Sequence, residues 1–329
     1  MEKIGIIRLD KIGDLILTTP AISSLRKIYP DSFIKVYVSL RNREVLEYSP
    51  FVDQIEAWGW SLEFIREVRK EKFDLMIAFS PTTESYLAAF LSGAGIRAGY
   101  LYSSRALTRF FSLFWLNKRL VCGIDQKNLE KAPSFVPHEV EQNLELVEQT
   151  LELKTSETEL SVLIPDREKK WAEAQLPGEN WICLHLSRAW IENLPSDFLS
   201  DLIRNLSKEK KLFLTYGPDE SDLISKLFLP ESIKKFGNLS FHQWGALISR
   251  AVLCLSTNTG AVHLAASQKV PVIAVFETRF FNYHSQRWSP WKVPNAVFRK
   301  DDKDLMRKIL NDVEALSHAK KNIASNLQL

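Results

Sequence analysis

An acidic side chain, Asp14, stands directly after Gly13 in the polar turn that separates an apolar run at residues 4–9 from an amphipathic stretch. The run reads as a first strand. A carboxylate at the C-terminal tip of the first strand of an α/β sheet points into the crevice where such sheets bind ligands, so Asp14 is a candidate general base. A second segment, STNTGAVHLAAS at 256–267, follows another apolar run and opens a helix. Small residues at Thr259, Gly260 and Ala261 let backbone approach a ligand, and the amides and dipole of a helix start suit a diphosphate. Asn258 and Thr259 also suit a plain helix cap, so both readings stand. His263, four residues after Thr259, shares its helix face and reads either as structural or as catalytic. Two more strand tips carry suitable groups. Ser187 and Arg188 offer a hydroxyl and a guanidinium to phosphate oxygens. Glu220 offers a carboxylate to ribose hydroxyls, or forms with Asp219 an ordinary acidic first turn of a helix.

The elements that must hold these groups alternate along the chain. Strands are expected at 4–9, 33–38, 54–58 and 73–79, with helices at 15–28, 41–48, 60–71 and 83–92. Pro20 should start or kink its helix. Residues 138–153 read as one long amphipathic helix. The second half repeats the style, with strands at 181–186, 211–216, 251–256 and 271–276 and helices at 195–208, 219–227, 240–249, 260–267 and 301–316. Such alternation argues for parallel sheets covered by helices, here as two doubly wound α/β domains, 1–165 and 166–329, with the break in the polar stretch 154–178. The final helix is allowed to pack back on the first domain, and the polar tail after Ser317 is expected to be disordered.

Composition narrows the class. With 45% hydrophobic and 25% charged residues the chain reads as a soluble globular protein, and a net charge of +3 gives no reason to expect nucleic acid. Cys122, Cys183 and Cys254 lie in apolar surroundings, as buried thiols of a reducing compartment would. No signal peptide is evident, and no apolar run approaches the roughly 18 residues of a membrane span. The expected location is cytoplasmic. No G-x-G-x-x-G follows the first strand, and no phosphate-loop, zinc-ligand or nucleophile-elbow pattern occurs.

Taken in order, IIRLDKIGDLILTTPAI, RNREVLEYSPFVDQIEAW, HEVEQNLELVE, GPDE at 217–220 and LISRAVLCLSTNTGAVHLAA resemble glycosyltransferase family 9, the lipopolysaccharide heptosyltransferases. The resemblance implies a GT-B arrangement: two Rossmann-like domains facing a cleft, the N-terminal one receiving the acceptor and the C-terminal one holding a nucleotide sugar, commonly ADP-heptose. It makes Asp14 the base of an inverting, metal-independent transfer. Ser187, Arg188 and the amides of Thr259, Gly260 and Ala261 would face the diphosphate, Glu220 the ribose, and the backbone near Leu239 the adenine. Neither a cofactor nor a metal is expected. Two positions depart from the family pattern: Asn258 stands where Asp is usual, and Glu192 where Lys is frequent. Arg188 is expected to compensate for the missing cation.

No acid occurs between Glu84 and Asp125, an interval that holds Arg97, Arg105, Arg109, Lys118 and Arg119 together with Tyr100, Tyr102, Phe110, Phe111, Phe114 and Trp115. Such a stretch suits a phosphorylated, acidic glycolipid and the cytoplasmic face of the inner membrane, or else a core helix with snorkelling basic ends. Arg97, Arg105 and Arg109 are the candidate acceptor contacts. A second acid-free interval, 278–300, follows a strand near the donor site, with Glu277 and Thr278 replacing the family's G-P-T. The leading expectation is a transferase building a lipopolysaccharide core or related surface glycan. The alternatives are a nucleotide-sugar epimerase of the same fold and a non-catalytic glycan- or nucleotide-binding homologue.

Overall fold

Every strand pair among the described residues is parallel, an arrangement in which strands covered on both faces read as near-continuous apolar runs. The computed structural model describes residues 1–59, 61–102, 104–122, 135–225, 227 and 229–326. It divides into two units, Met1–Leu163 and Ile164–Leu329. In the first, β1 (Lys3–Arg8), β2 (Phe33–Val38), β3 (Gln54–Ala57), β4 (Leu75–Ala78), β5 (Ile96–Tyr102) and β6 (Lys118–Cys122) form a six-stranded sheet in the order β3-β2-β1-β4-β5-β6. Between them run α1 (Ile12–Ile16), α2 (Thr19–Ile28), α3 (Leu62–Lys70), α4 (Thr83–Leu91) and α5 (Ala106–Trp115). α6 (Glu139–Leu151) closes the unit.

The second unit holds β7 (Trp181–Leu186), β8 (Lys211–Tyr216), β9 (Lys234–Phe236), β10 (Ala251–Thr257), β11 (Val272–Phe276) and β12 (Asn295–Arg299), ordered β12-β11-β10-β7-β8-β9. Read from its other edge this is the same doubly wound order as the first sheet. Its helices are α7 (Asp166–Gln175), α8 (Arg188–Asn193), α9 (Ser196–Glu209), α10 (Ser221–Ile224), α11 (Phe241–Arg250), α12 (Gly260–Ser267), α13 (Phe281–Arg287) and α14 (Leu305–Asn326). Both sheets reverse direction beside their first strand, between β1 and β4 and between β7 and β10. In doubly wound sheets the ligand crevice lies at the carboxyl ends of those strands.

Several boundaries differ from the sequence expectation. The helix expected at 15–28 is two helices: Pro20, near the start of α2, has no N–H to continue from α1, and the Thr18 hydroxyl bonds back to the Asp14 carbonyl at 2.8 Å. Residues 41–48 hold a 3-10 turn, Leu40–Val45. The stretch 219–227 gives only the turn Pro218–Glu220 followed by the short α10. β5, β6, β9 and β12 were not expected, because Arg97, Gly99 and paired basic residues interrupt their apolar pattern. The last helix starts at Leu305, runs through Ser317 to Asn326, and packs on β10, β11, β12 and α9 of its own unit. All three cysteines are free and buried.

Candidate active site

The end of β1 carries a charge into the interior. Arg8, only 3% exposed, sends one guanidinium nitrogen to the Phe79 carbonyl and another to Glu139 Oε1 at 2.8 Å. Asp10 lies 3.5 Å and Asp14 3.6 Å from the same group. Glu139 is the first residue of α6, where its negative charge also suits the helix dipole. Asp10 accepts a 2.6 Å bond from Ser80 just beyond β4, and the Ser80 hydroxyl in turn accepts the Leu9 amide at 2.7 Å. The Asn42 amide donates to the Asp10 carbonyl. One buried cation thus ties the β1 tip to the β4 tip and to α6, at the point where the sheet reverses.

Asp14 sits in the third position of α1 and accepts the Lys11 amide at 3.2 Å. It is partly open, its side chain 23% exposed against 34% for Asp10 and 6% for Glu139. Burial raises its pKa, Arg8 pulls it down, and Glu139 and Asp10 push it up again, leaving it at about 6. Burial disfavours the charge on Arg8, but Asp10, Glu139 and Asp14 outweigh that and hold its proton more tightly than usual. A carboxylate that is accessible, fixed by a backbone amide and poised near neutrality has the properties of a general base.

The corresponding point in the second unit is built from hydroxyls and a helix start. Ser187 stands between the β7 tip and α8, and its hydroxyl does not cap that helix but meets that of Thr257 at the end of β10, 2.8 Å away. Thr259 caps α12: its Oγ1 accepts the Ala261 amide at 3.3 Å and lies 3.0 Å from the Ser256 hydroxyl. The 3.3 Å bond is long, so an oxyanion could take the Ala261 amide at small cost. Gly260 is the first residue of α12, Asn258 and Arg188 are exposed, and His263 is buried. Glu220 folds back over the β8 tip, where a Cβ on Gly217 would lie 2.7 Å from its Oε2. Leu239 is half-buried between Asn238, in the left-handed region at φ 54°, and Ser240, the cap of α11. The structure therefore gathers Ser187, Arg188, Asn258, Thr259, Gly260 and Ala261 around one switch point, with Glu220 and Leu239 following the neighbouring strands. The side chain of Glu192 lies outside the described residues.

The description of glycosyltransferase family 9 (heptosyltransferase) matches residues 61–311. The chain belongs to this family. "Lipopolysaccharide heptosyltransferase 3" of Escherichia coli is 23% identical over 305 residues, which cover 85% of this chain and 83% of that protein. Among solved structures, E. coli ADP-heptose LPS heptosyltransferase II superposes with a TM-score of 0.76 at 16% identity, covering 98% of this chain and all of that one. A family 9 glycosyltransferase from Veillonella parvula gives 0.74 at 20% identity, covering 98% and 95%. The two doubly wound units thus have the GT-B fold of family 9 heptosyltransferases.

In this family 9 chain the basic aromatic interval forms β5, α5 and β6. Arg97 donates to the carbonyls of Ala94 and Trp115, and Arg105 donates to the Pro81 carbonyl while lying over Tyr102. Both guanidiniums therefore brace the fold. Arg109 is exposed on α5. Sequence reasoning singled out Asp14 but not the groups packed around it, Arg8, Asp10, Ser80 and Glu139. The available signal was an arginine closing an otherwise apolar strand, since a buried guanidinium needs partners.

Proposed function

We propose that this chain is an inverting, metal-independent glycosyltransferase that moves a heptose from ADP-heptose to a lipopolysaccharide core or related surface-glycan acceptor. The observation that carries the reading is Asp14 itself: an accessible carboxylate raised to about 6 at the first switch point of a family 9 chain. Asp14 takes the proton of an acceptor hydroxyl. The oxygen attacks the anomeric carbon from the face opposite the diphosphate, and the carbon–oxygen bond to the diphosphate breaks with its electron pair leaving on ADP. The β7 and β10 tips of the second unit receive that charge through the amides of Gly260 and Ala261 and the hydroxyls of Ser187 and Thr259. Arg188 supplies the cation, and Glu220 takes the ribose. Preorganised donors of this kind stabilise the departing group without a metal, so excess chelator is expected to leave turnover unchanged.

Family membership favours transfer over epimerisation. The test is ADP release from ADP-heptose by the purified protein. Release that requires both an acceptor extract and Asp14 supports the proposal. Donor consumption without acceptor would support an epimerase, and binding without turnover a non-catalytic homologue.

The acceptor class implies a lipid surface. Among the described residues no helix is long and apolar enough to cross a membrane. α5, however, turns Leu107, Phe110 and Phe114 outward, three to four residues apart, with Leu107 73% and Phe114 65% exposed. Exposed Arg109 lies among them, and no acid lies near in sequence. An apolar face flanked by cations suits an anionic bilayer. The location proposed is therefore the cytoplasm, with peripheral contact at the inner face of the membrane.

A further inference from the structure

The sequence assigns Glu139 no chemical role, yet it makes the shortest ion pair to the guanidinium beside Asp14. Arg8 Nη2 is 2.8 Å from Glu139 Oε1 and 3.6 Å from Asp14 Oδ1, so the hydrogen bond goes to Glu139 and Asp14 feels Arg8 only through space. A buried guanidinium hydrogen-bonded directly to Asp14 would hold that carboxylate ionised and occupy its lone pairs, which makes a poor base. We propose that Glu139 is a positioning residue: by holding Arg8 from the α6 side and adding its own negative charge, it keeps Asp14 free and basic.

This inference rests on the assignment of Asp14 as the base. The charged groups facing Asp14 are Arg8 at the end of β1, Asp10 in the following turn and Glu139 from α6. The 3-10 turn packed on α1 contributes Asn42, whose amide holds the Asp10 backbone. On the far side of Arg8 stands Tyr100 of β5, whose hydroxyl donates to Asn143 of α6. Phe79 O takes another N–H of Arg8, so the guanidinium has few positions to choose from. Without the Glu139 charge, Arg8 Nη2 is left facing Asp14 Oδ1 at 3.6 Å, whereas the Asp10 oxygen beside Nε already accepts from Ser80.

The test is the titration of the Asp14 carboxyl, followed by carbon-13 NMR of the full chain labelled at aspartate and assigned by the signal lost in Asp14→Asn. In Glu139→Gln the midpoint is expected to fall by roughly one pH unit, the low end of what one neighbouring charge does. The acid limb of kcat/KM should move with it, because that limb reports the base in the free enzyme. Glu139→Asp keeps the charge one methylene farther away and is expected to lie between. A purely structural Glu139 would lower thermal stability and leave the titration unmoved, and an unmoved midpoint in Glu139→Gln overturns the inference. Should that variant not fold, an unmoved midpoint in Glu139→Asp does the same. The two assignments separate cleanly: full turnover by Asp14→Asn removes Asp14 as base, whereas the NMR midpoint judges Glu139 independently of activity.

Discussion

Replacing Asp14 by Asn should abolish transfer and stabilise the protein, and the second effect depends on pH in a direction the structure fixes. The folded protein holds the Asp14 proton up to about 6, against an ordinary value of 3.8. Between these values the native state binds more protons than the unfolded chain, so stability falls as pH rises through the window. Above it, Asp14 is charged in both states and the full penalty applies. A difference of about two units corresponds to roughly 3 kcal/mol, an upper figure for a carboxylate with some access to water. Asn keeps the acceptor for the Lys11 amide and removes the charge. Arg8 keeps Glu139 as its hydrogen-bonded partner, so no buried charge is orphaned. Each kcal/mol is worth roughly 2–4 °C in a domain of this size, so Asp14→Asn should melt several degrees above wild type at pH 8 and almost level with it at pH 4. Thermal scans of both proteins across pH 4–8, read beside turnover, make the measurement. A variant that melts lower than wild type at pH 8, or by the same margin at every pH, would refute the reasoning, because the Asp14 charge would then be stabilising or irrelevant.

Other expectations follow from particular contacts. Arg188→Ala should weaken ADP binding in calorimetry, and unchanged affinity would remove Arg188 from the diphosphate site. Gly217→Ala should move melting little, because the new Cβ meets only the flexible end of Glu220, 2.7 Å away. It should nevertheless weaken ADP by displacing that carboxylate from the β8 tip, while leaving inorganic diphosphate binding unchanged. The pair Phe110→Asp and Phe114→Asp should abolish flotation with anionic vesicles and keep the melting temperature within about 1 °C, since exposed substitutions cost little. Loss of fold instead of loss of flotation would count against a free α5 face.

Residues 4–9 and 251–256 were legible as strands because parallel strands covered on both faces leave near-continuous apolar runs, and the polar turn after each run marks its tip. Those two facts suffice to place Asp14 and Thr259. β6 and β9 escaped the same reading because these edge strands are only partly buried and open on lysine, which interrupts the apolar run. The cluster around Arg8 escaped for a different reason. Ser80 and Glu139 lie far along the chain from Arg8, and the order in which strands assemble, rather than any local pattern, brings them to the β1 tip. The basic interval 97–119 shows the reverse case. Its charge pattern was plain, but Arg97 and Arg119 spend their donors on the carbonyls of Trp115, Ser112, Leu113 and Leu116, bracing the end of α5. Basic composition could not show which of these arginines spend their donors on carbonyls.

The two switch points, alike in topology, differ in electrostatics in a way that divides the proposed labour. At the β1 and β4 tips, Asp10, Asp14 and Glu139 surround one guanidinium, so the ionised group carries a negative excess. That excess makes a proton welcome on Asp14, which burial already pushes toward its neutral form. At the β7 and β10 tips the side chains are Ser187, Thr257, Asn258 and Thr259, all uncharged, beside the amide end of α12. Asn258 belongs to this logic. On the proposed function, in which Arg188 supplies the cation, an aspartate there would repel the diphosphate, whereas the amide leaves the helix dipole unopposed. On this reasoning Asn258→Asp should weaken ADP more than it weakens adenosine, because the added repulsion acts on the phosphates. Equal weakening of both ligands would instead show that residue 258 acts on the nucleoside, and would detach the β10 tip from the diphosphate.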